Sequence, residues 1–188
     1  MKEPKLIIEN LEEYSDWVML EYKHSIDIWE NIAFTNVKDE KLKKELSKIA
    51  KVYEKSICEF KLENMKIIVL DPFAKKEFTT EDGNNADIIV VGGILGDKEF
   101  TGKTNELITK KLPNANTRNL GKKQLSIDIS VFTARLIFLG MKLEEIEFTD
   151  ELEIDHCDGH KTILPYGYPI IENKVIVTPG LIELLKKL

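Results

Sequence analysis

The chain has 188 residues, 43% hydrophobic and 32% charged, enough apolar content for a substantial core and too much for a disordered chain. Its 27 basic and 33 acidic residues leave a net charge of −6, so a grip on nucleic acid through phosphates lacks its basic surplus. No apolar run approaches the roughly 20 residues of a membrane span, the start Met1-Lys2-Glu3-Pro4-Lys5 has no secretory h-region, and Cys58 and Cys157 read as free thiols, so a soluble cytoplasmic protein is expected.

In chain order, Lys5 to Glu9 reads as a strand. Ser15 can cap a helix running to about Trp29, with Trp17, Leu20 and Ile28 among its apolar positions. Asn31 to Thr35 predicts a second strand, and Leu42, Leu46, Ile49 and Tyr53 recur at helical spacing. Lys66 to Pro72 predicts a buried strand stopped by proline; Asp87 to Val91 predicts another, running into Gly92-Gly93. A helix from Thr104 to Leu112 ends before Pro113, Arg118 to Leu120 reads as a short strand, and Ile127 to Leu139 as a well-buried helix closed by Gly140. From Glu145 the tail is mostly extended, with a turn at Glu172-Asn173-Lys174 and a short amphipathic helix from Leu181 to Leu188. Strands alternating with helices imply an α/β fold: a mostly parallel sheet with helices on both faces, in a single domain over residues 1–188.

Charge is unevenly spread. The window from Lys142 to Asp158 carries eight acids and one base, so everything outside it sums to about +1. Such a strip is either an ion-paired solvated face or a surface for a basic partner. Arginine occurs only at 118 and 135 in a lysine-biased chain, which marks sites where a planar fork is needed.

Two motifs fail on spacing or context. Gly102-Lys103-Thr104 looks like the end of a phosphate loop, but five residues separate Gly96 from Gly102 where the motif needs four, and Asp97 holds the position of its first glycine. His156 and His160 share a face only on a helix, which Gly159 opposes, and no second ligand cluster follows, so no metal is expected. Two glycine-bearing loops are stronger. Gly92-Gly93-Ile94-Leu95-Gly96-Asp97 leaves a buried strand, where open α/β sheets bind ligands. The segment from Arg118 to Asp128, with Gly121, leaves a short strand and enters a helix. Together such loops can hold an uncharged heterocycle between main-chain groups.

At these residues the sequence resembles a known family. Leu120-Gly121-x-x-x-Leu125 followed by a helix is similar to the last cofactor loop of the SPOUT (trefoil-knot) S-adenosylmethionine methyltransferases, and 92–97 resembles their earlier one. One branch resembles the chain at Ile8 to Glu13, Trp17 to Tyr22, Leu70-Asp71-Pro72, Gly102 to Leu107 and Leu120 to Leu125. That branch is described as RNA methyltransferases, while its characterised eukaryotic members are protein arginine methyltransferases acting on a small-subunit ribosomal protein.

The resemblance implies a C-terminal trefoil knot and an S-adenosylmethionine pocket, with loops near 92–97 and 118–128 lined by Gly93, Ile94, Leu95, Gly96, Leu120, Gly121, Gln124 and Leu125. Methylating a protonated guanidinium requires carboxylates to orient its fork and accept a proton, and the candidate catalytic residues are Asp97, Asp128, Glu13 and Glu21. Asp97 is favoured because it closes a cofactor loop; Asp128 equally suits a helix N-terminus, and Glu13 and Glu21 an exposed helix face. Arg118, Lys122 and Lys123 are candidate substrate contacts, and Arg118 can instead pair with surface acids. The expected partner is a basic ribosomal protein. RNA methylation is the alternative, and a non-catalytic module that binds cofactor or ribosome the second. A monomer is favoured over a homodimer. The tail from Thr162 to Tyr168 also resembles a family segment, but lacks the Arg or other polar residue expected near Gly167.

Overall fold

Strand-forming runs of Ile, Val and Leu buried on both faces build the centre of the molecule. A computed structural model describes residues 3–95, 102–156 and 159–187. Six strands, β1 (Lys5–Asn10), β2 (Ile32–Thr35), β3 (Lys51–Val52), β4 (Ile67–Leu70), β5 (Ile88–Gly93) and β6 (Asn116–Arg118), pair in parallel in the order β3-β2-β1-β5-β4-β6. Every residue of β2 and β4 is buried, as parallel strands covered on two sides require. Six helices complete the described chain: α1 (Asp16–Ile28), α2 (Glu40–Leu46), α3 (Thr80–Asn85), α4 (Lys103–Leu107), α5 (Ile127–Phe138) and α6 (Leu181–Leu185).

Period-2 alternation divides the strands between two cores. Leu6, Ile8, Ile89 and Val91 face α1 and α5, meeting Val18, Tyr22, Val131 and Ile137. Ile7, Val69, Ile88 and Val90 face the opposite way, against Ile57, Ile108 and Leu112. A third cluster joins Ile129 of α5 to Leu164, Tyr166, Tyr168 and Leu181, which fastens the tail to the domain. That tail holds β7 (Glu147–Phe148), β8 (Leu152–Asp155), β9 (Lys161–Leu164), β10 (Pro169–Ile171) and β11 (Lys174–Val175). They form two antiparallel sheets, β11-β10-β7 and β8-β9. The expected turn joins β10 to β11, with Glu172 and Asn173 at φ 50° and 62°, the left-handed pair of a tight hairpin.

Most elements match the sequence expectation, and the departures have physical reasons. The helix with apolar spacing to Tyr53 stops at Leu46, because Lys51–Val52 pairs with β2 at the sheet edge and leaves Ile49 exposed. Pairing against an existing strand outweighs the weak helical pattern. Helix α3 has no apolar periodicity; a Thr79–Asp82 capping box starts it. Gly83 inside it admits the Phe138 ring, since a Cβ there would lie 2.9 Å from Phe138 Cδ2. The helix expected over 104–112 divides into α4 and a 3-10 turn at Thr109–Lys111, and β6 lies two residues earlier than read. No helix among the described residues is long and apolar enough to cross a membrane.

Candidate active site

A cavity opens at the carboxyl ends of β4 and β5, where an open α/β sheet exposes loop backbone to a ligand. It measures about 810 Å3 with its open mouth included, and Leu70, Val91, Ile94, Leu120, Leu125 and Ile127 give it an apolar wall. The backbones of Gly92 and Gly121 contribute to the lining. Gly121 sits at φ 93°, a conformation that glycine takes without strain. Asp71, at the end of β4, is 1% exposed and knits the wall together. Its Oδ1 accepts the Phe73 amide at 2.9 Å, and its Oδ2 accepts Asn105 Nδ2 at 2.9 Å and Thr109 Oγ1 at 2.7 Å. One side chain thereby ties α4 and the following turn to the sheet.

Gln124 also lines the cavity, and its Oε1 is buried without a hydrogen-bond partner. A buried acceptor left open is costly, which suits a ligand that brings a donor. The segment beyond it is pinned by the tail, because Gly167 donates its amide to the Gln124 carbonyl at 2.8 Å. A Cβ at Gly167 would stand 2.8 Å from Lys123 Cβ, so the polar residue expected near there gives way to packing.

Two carboxyl groups lie outside that cavity lining, between α1, α5 and the tail. Glu21 accepts Trp17 Nε1 at 2.6 Å on Oε1 and the Ile127 amide at 3.0 Å on Oε2. Asp128 accepts Ser126 Oγ at 2.7 Å on Oδ1, while Thr178 Oγ1 lies at 2.6 Å and His24 Nδ1 at 2.7 Å from Oδ2. Glu21 is 1% exposed and Asp128 0%. Burial, reinforced by the neighbouring Asp128 carboxylate, pushes the Glu21 carboxyl up to about 8. Tyr168, whose buried hydroxyl has no partner, is likewise raised by burial and by these two acids.

Comparison with known proteins gives this geometry its context. The family described as protein arginine N-methyltransferase SFM1-like matches residues 5–188. Protein arginine N-methyltransferase SFM1 of Saccharomyces cerevisiae is 30% identical over 201 residues, covering 97% of this chain and 94% of the yeast protein. The chain belongs to the SFM1-like family. Crystal structures of the yeast enzyme support this. The complex with S-adenosylhomocysteine (SAH) has a TM-score of 0.86 at 30% identity, covering 97% of this chain and 94% of that one. The S-adenosylmethionine (SAM) complex also gives 0.86, at 28% identity and coverages of 100% and 91%. Trm10 of Thermococcus kodakaraensis shares the fold, with a TM-score of 0.58 at 18% identity over 76% of this chain and 96% of that one. This SFM1-like chain is therefore a SAM-dependent methyltransferase.

Within this SFM1-like enzyme the expected cofactor residues divide. Ile94, Leu120, Gly121, Gln124 and Leu125 line the cavity. Gly93 does not: its missing side chain makes room for Tyr22, whose hydroxyl would be 2.6 Å from a Cβ there. Leu95 packs against the main core, and its amide donates to Glu12 Oε1 at 2.9 Å. Gly96 and Asp97 lie outside the described residues. The lining fits SAM chemically, since an apolar slot with one open acceptor suits an adenosine bearing an amino group.

The expected catalytic and substrate residues fall in different places. Glu21 and Asp128 lie outside the cavity lining, and their oxygens accept from donors on α1, α5 and the tail. Glu13 is exposed on the loop before α1, while its neighbour Glu12 makes the contact to the first glycine loop. Arg118 pairs with Asp82, donating from Nε at 2.8 Å and from a terminal nitrogen at 2.7 Å, the alternative of pairing with an acid that its sequence position offers. Burial opposes the Asp82 charge, but Arg118 and the Thr79 cap outweigh it and hold that carboxyl below its ordinary value. Lys122 is exposed beside the cavity, in a groove shared with Lys75 and Lys76. Lys123 lines the cavity and pairs with Asp150, which brings the acidic strip to the rim. The sequence reading overlooked Asp71 and Glu12, although an acid closing an apolar strand at its carboxyl end is a legible sign for Asp71.

Proposed function

We propose that the enzyme, working in the cytoplasm as a monomer, methylates an arginine of a basic, ribosomal protein, with the cofactor in the cavity between 92–95 and 120–127. The observation that carries this reading is the cavity itself: an apolar slot with an unpartnered buried Gln124 oxygen and an acidic strip tethered to its rim through Lys123 and Asp150. Bound there, SAM would supply an electrophilic methyl group. Ile94, Leu120, Leu125 and Ile127, which line the cavity, would exclude water there and restrict how a nucleophile approaches. Guanidinium stays protonated near neutrality, so the protein must orient its planar fork and take up the proton released as the new N–C bond forms. Asp97 is the carboxylate this reading assigns to that task. The acidic strip attracts a basic polypeptide to the rim and holds it by charge. The parallel sheet and the wrapping of residues 71–78 around Asn119 suit the knot expected of the superfamily. In that wrapping Asn119 accepts the Phe78 amide at 2.9 Å and donates to the Lys76 carbonyl at 2.8 Å.

The test is transfer of tritiated methyl groups from SAM into a cell extract lacking the enzyme, followed by separate nuclease and protease digestion. Label that survives nuclease and appears as methylarginine after hydrolysis is expected. Label released by nuclease would overturn the reading in favour of RNA, and an Asp97→Asn variant with undiminished transfer would remove Asp97 from its role.

A further inference from the structure

We propose that Glu12 is the positioning residue of the first cofactor loop, a role that follows from how β1 and β5 part company. The two strands pair in parallel up to Asn10 and Gly93, and the Leu11 amide adds one more bond to the Gly93 carbonyl at 3.0 Å. Beyond that point the backbone of β1 turns away towards Ser15, which caps α1. The next inward amide of the loop, at Leu95, has lost its strand partner. The Glu12 side chain replaces it, with Oε1 at 2.9 Å from the Leu95 nitrogen.

Glu12 is itself held on a stiff turn. Asn10 Nδ2 donates to the Glu12 carbonyl at 2.9 Å, Asn10 Oδ1 accepts the buried Tyr22 hydroxyl at 2.6 Å, and Asn36 Nδ2 donates to the Asn10 carbonyl at 2.7 Å. The loop is consequently fixed on both sides of Ile94: at Gly93 through the strand and at Leu95 through the carboxylate. Ile94 is the residue between them that lines the cavity. Its direction is set from outside the cavity by a side chain that does not line it. A carboxylate is well suited to this position, because it accepts more strongly than a neutral oxygen and is half-exposed, which limits its desolvation cost.

The link to cofactor binding rests on the function proposed above, whereas the tether itself does not. Two variants separate these. Glu12→Ala removes the acceptor, and Glu12→Gln keeps a carbonyl oxygen at the same reach. In the free protein, hydrogen exchange of the Leu95 amide is expected to accelerate by about tenfold or more in Glu12→Ala and to stay within about threefold of wild type in Glu12→Gln. By calorimetry, SAH binding should weaken by roughly tenfold in Glu12→Ala and by less than about threefold in Glu12→Gln. The KM for SAM should rise with kcat little changed, the signature of lost positioning of a binding wall rather than lost chemistry. Unaltered Leu95 exchange in Glu12→Ala, or equal loss in both variants, would overturn the tether. Altered exchange with unaltered SAH binding would overturn the positioning role. A wild-type protein that fails to bind SAH would instead defeat the functional reading, with Leu95 exchange still deciding the tether.

Discussion

Glu21 gives the stability of this enzyme a specific pH dependence. Its carboxyl is pushed up to about 8 from an ordinary value of 4.5, first by burial and then by Asp128, although Trp17 and Ile127 donate to it and favour the charge. Between those two values the folded protein binds one more proton than the unfolded chain, so raising the pH favours unfolding. The contribution is fully present below about pH 4.5 and is lost as the pH rises to about 8, at a slope of about 1.4 kcal/mol per pH unit. At 1% exposure solvent screening does not reduce it. From about pH 6 to about pH 8 the loss is about 2 kcal/mol, allowing for partial titration at the upper end. Glu21→Gln removes the titrating group and keeps one acceptor. Urea denaturation of both proteins at the two pH values gives two differences in unfolding free energy. The wild-type difference should exceed the variant's by about 2 kcal/mol, because groups titrating elsewhere contribute to both and cancel. Parallel losses in the two proteins would refute the reasoning and place the Glu21 proton outside the folded state.

Other substitutions probe the remaining contacts. Gly93→Ala places a Cβ 2.6 Å from the Tyr22 hydroxyl and 2.9 Å from Ile8 Cγ2, and should cost about 1–3 kcal/mol in denaturation. Adding Tyr22→Phe should recover part of that loss; if it recovers none, the hydroxyl is not what excludes a side chain. Arg118→Ala should lower stability by roughly 2 kcal/mol through loss of the Asp82 fork. The KM of the protein substrate should not change, and a selective rise in it would return Arg118 to the substrate site. Gln124→Leu removes a buried oxygen that has no partner, so the melting temperature should hold or rise while SAH binding weakens by about tenfold in calorimetry. Retained affinity would show that the Gln124 oxygen meets no ligand donor.

Periodicity and punctuation made the parallel sheet legible. Strands β1, β2, β4 and β5 are continuous apolar runs, and α1 and α5 carry clear caps or apolar faces. Helix α3 was hidden because Thr-Glu-Asp-Gly-Asn-Asn has no apolar face of its own, and the Phe138 contact made possible by Gly83 depends on a residue 55 positions away. In the site, Gly92 and Gly121 mark loops that line the cavity, whereas Gly93 makes room for Tyr22. The carboxylates were harder to assign. Glu12 and Glu13 are indistinguishable in sequence, and only the point where β1 leaves β5 decides which one meets Leu95. Glu21 looked like an exposed helix position because nothing near it in sequence announces Ile127, which lies 106 residues further on.

The acidity of the chain therefore has two separate origins. One is the strip, whose described acids from Glu144 to Asp155 lie exposed and which Asp150 joins to Lys123. The other is internal: Glu9, Asp71, Glu21 and Asp128 are all 2% exposed or less. Buried acids are costly unless their oxygens are met by donors, and among the described residues amides, hydroxyls and ring nitrogens meet them. Each acid joins segments distant in sequence: Glu9 reaches Ile57, Asp71 reaches Thr109, Glu21 reaches Ile127 and Asp128 reaches Thr178. Of the four, Asp71 lines the cavity, and the amides and hydroxyl that meet it bring no cation to a site whose proposed occupants, a sulfonium and a guanidinium, are both positive. Asp71, which fastens α4 and the following turn to the sheet, thus also suits the charge of what the cavity is proposed to hold.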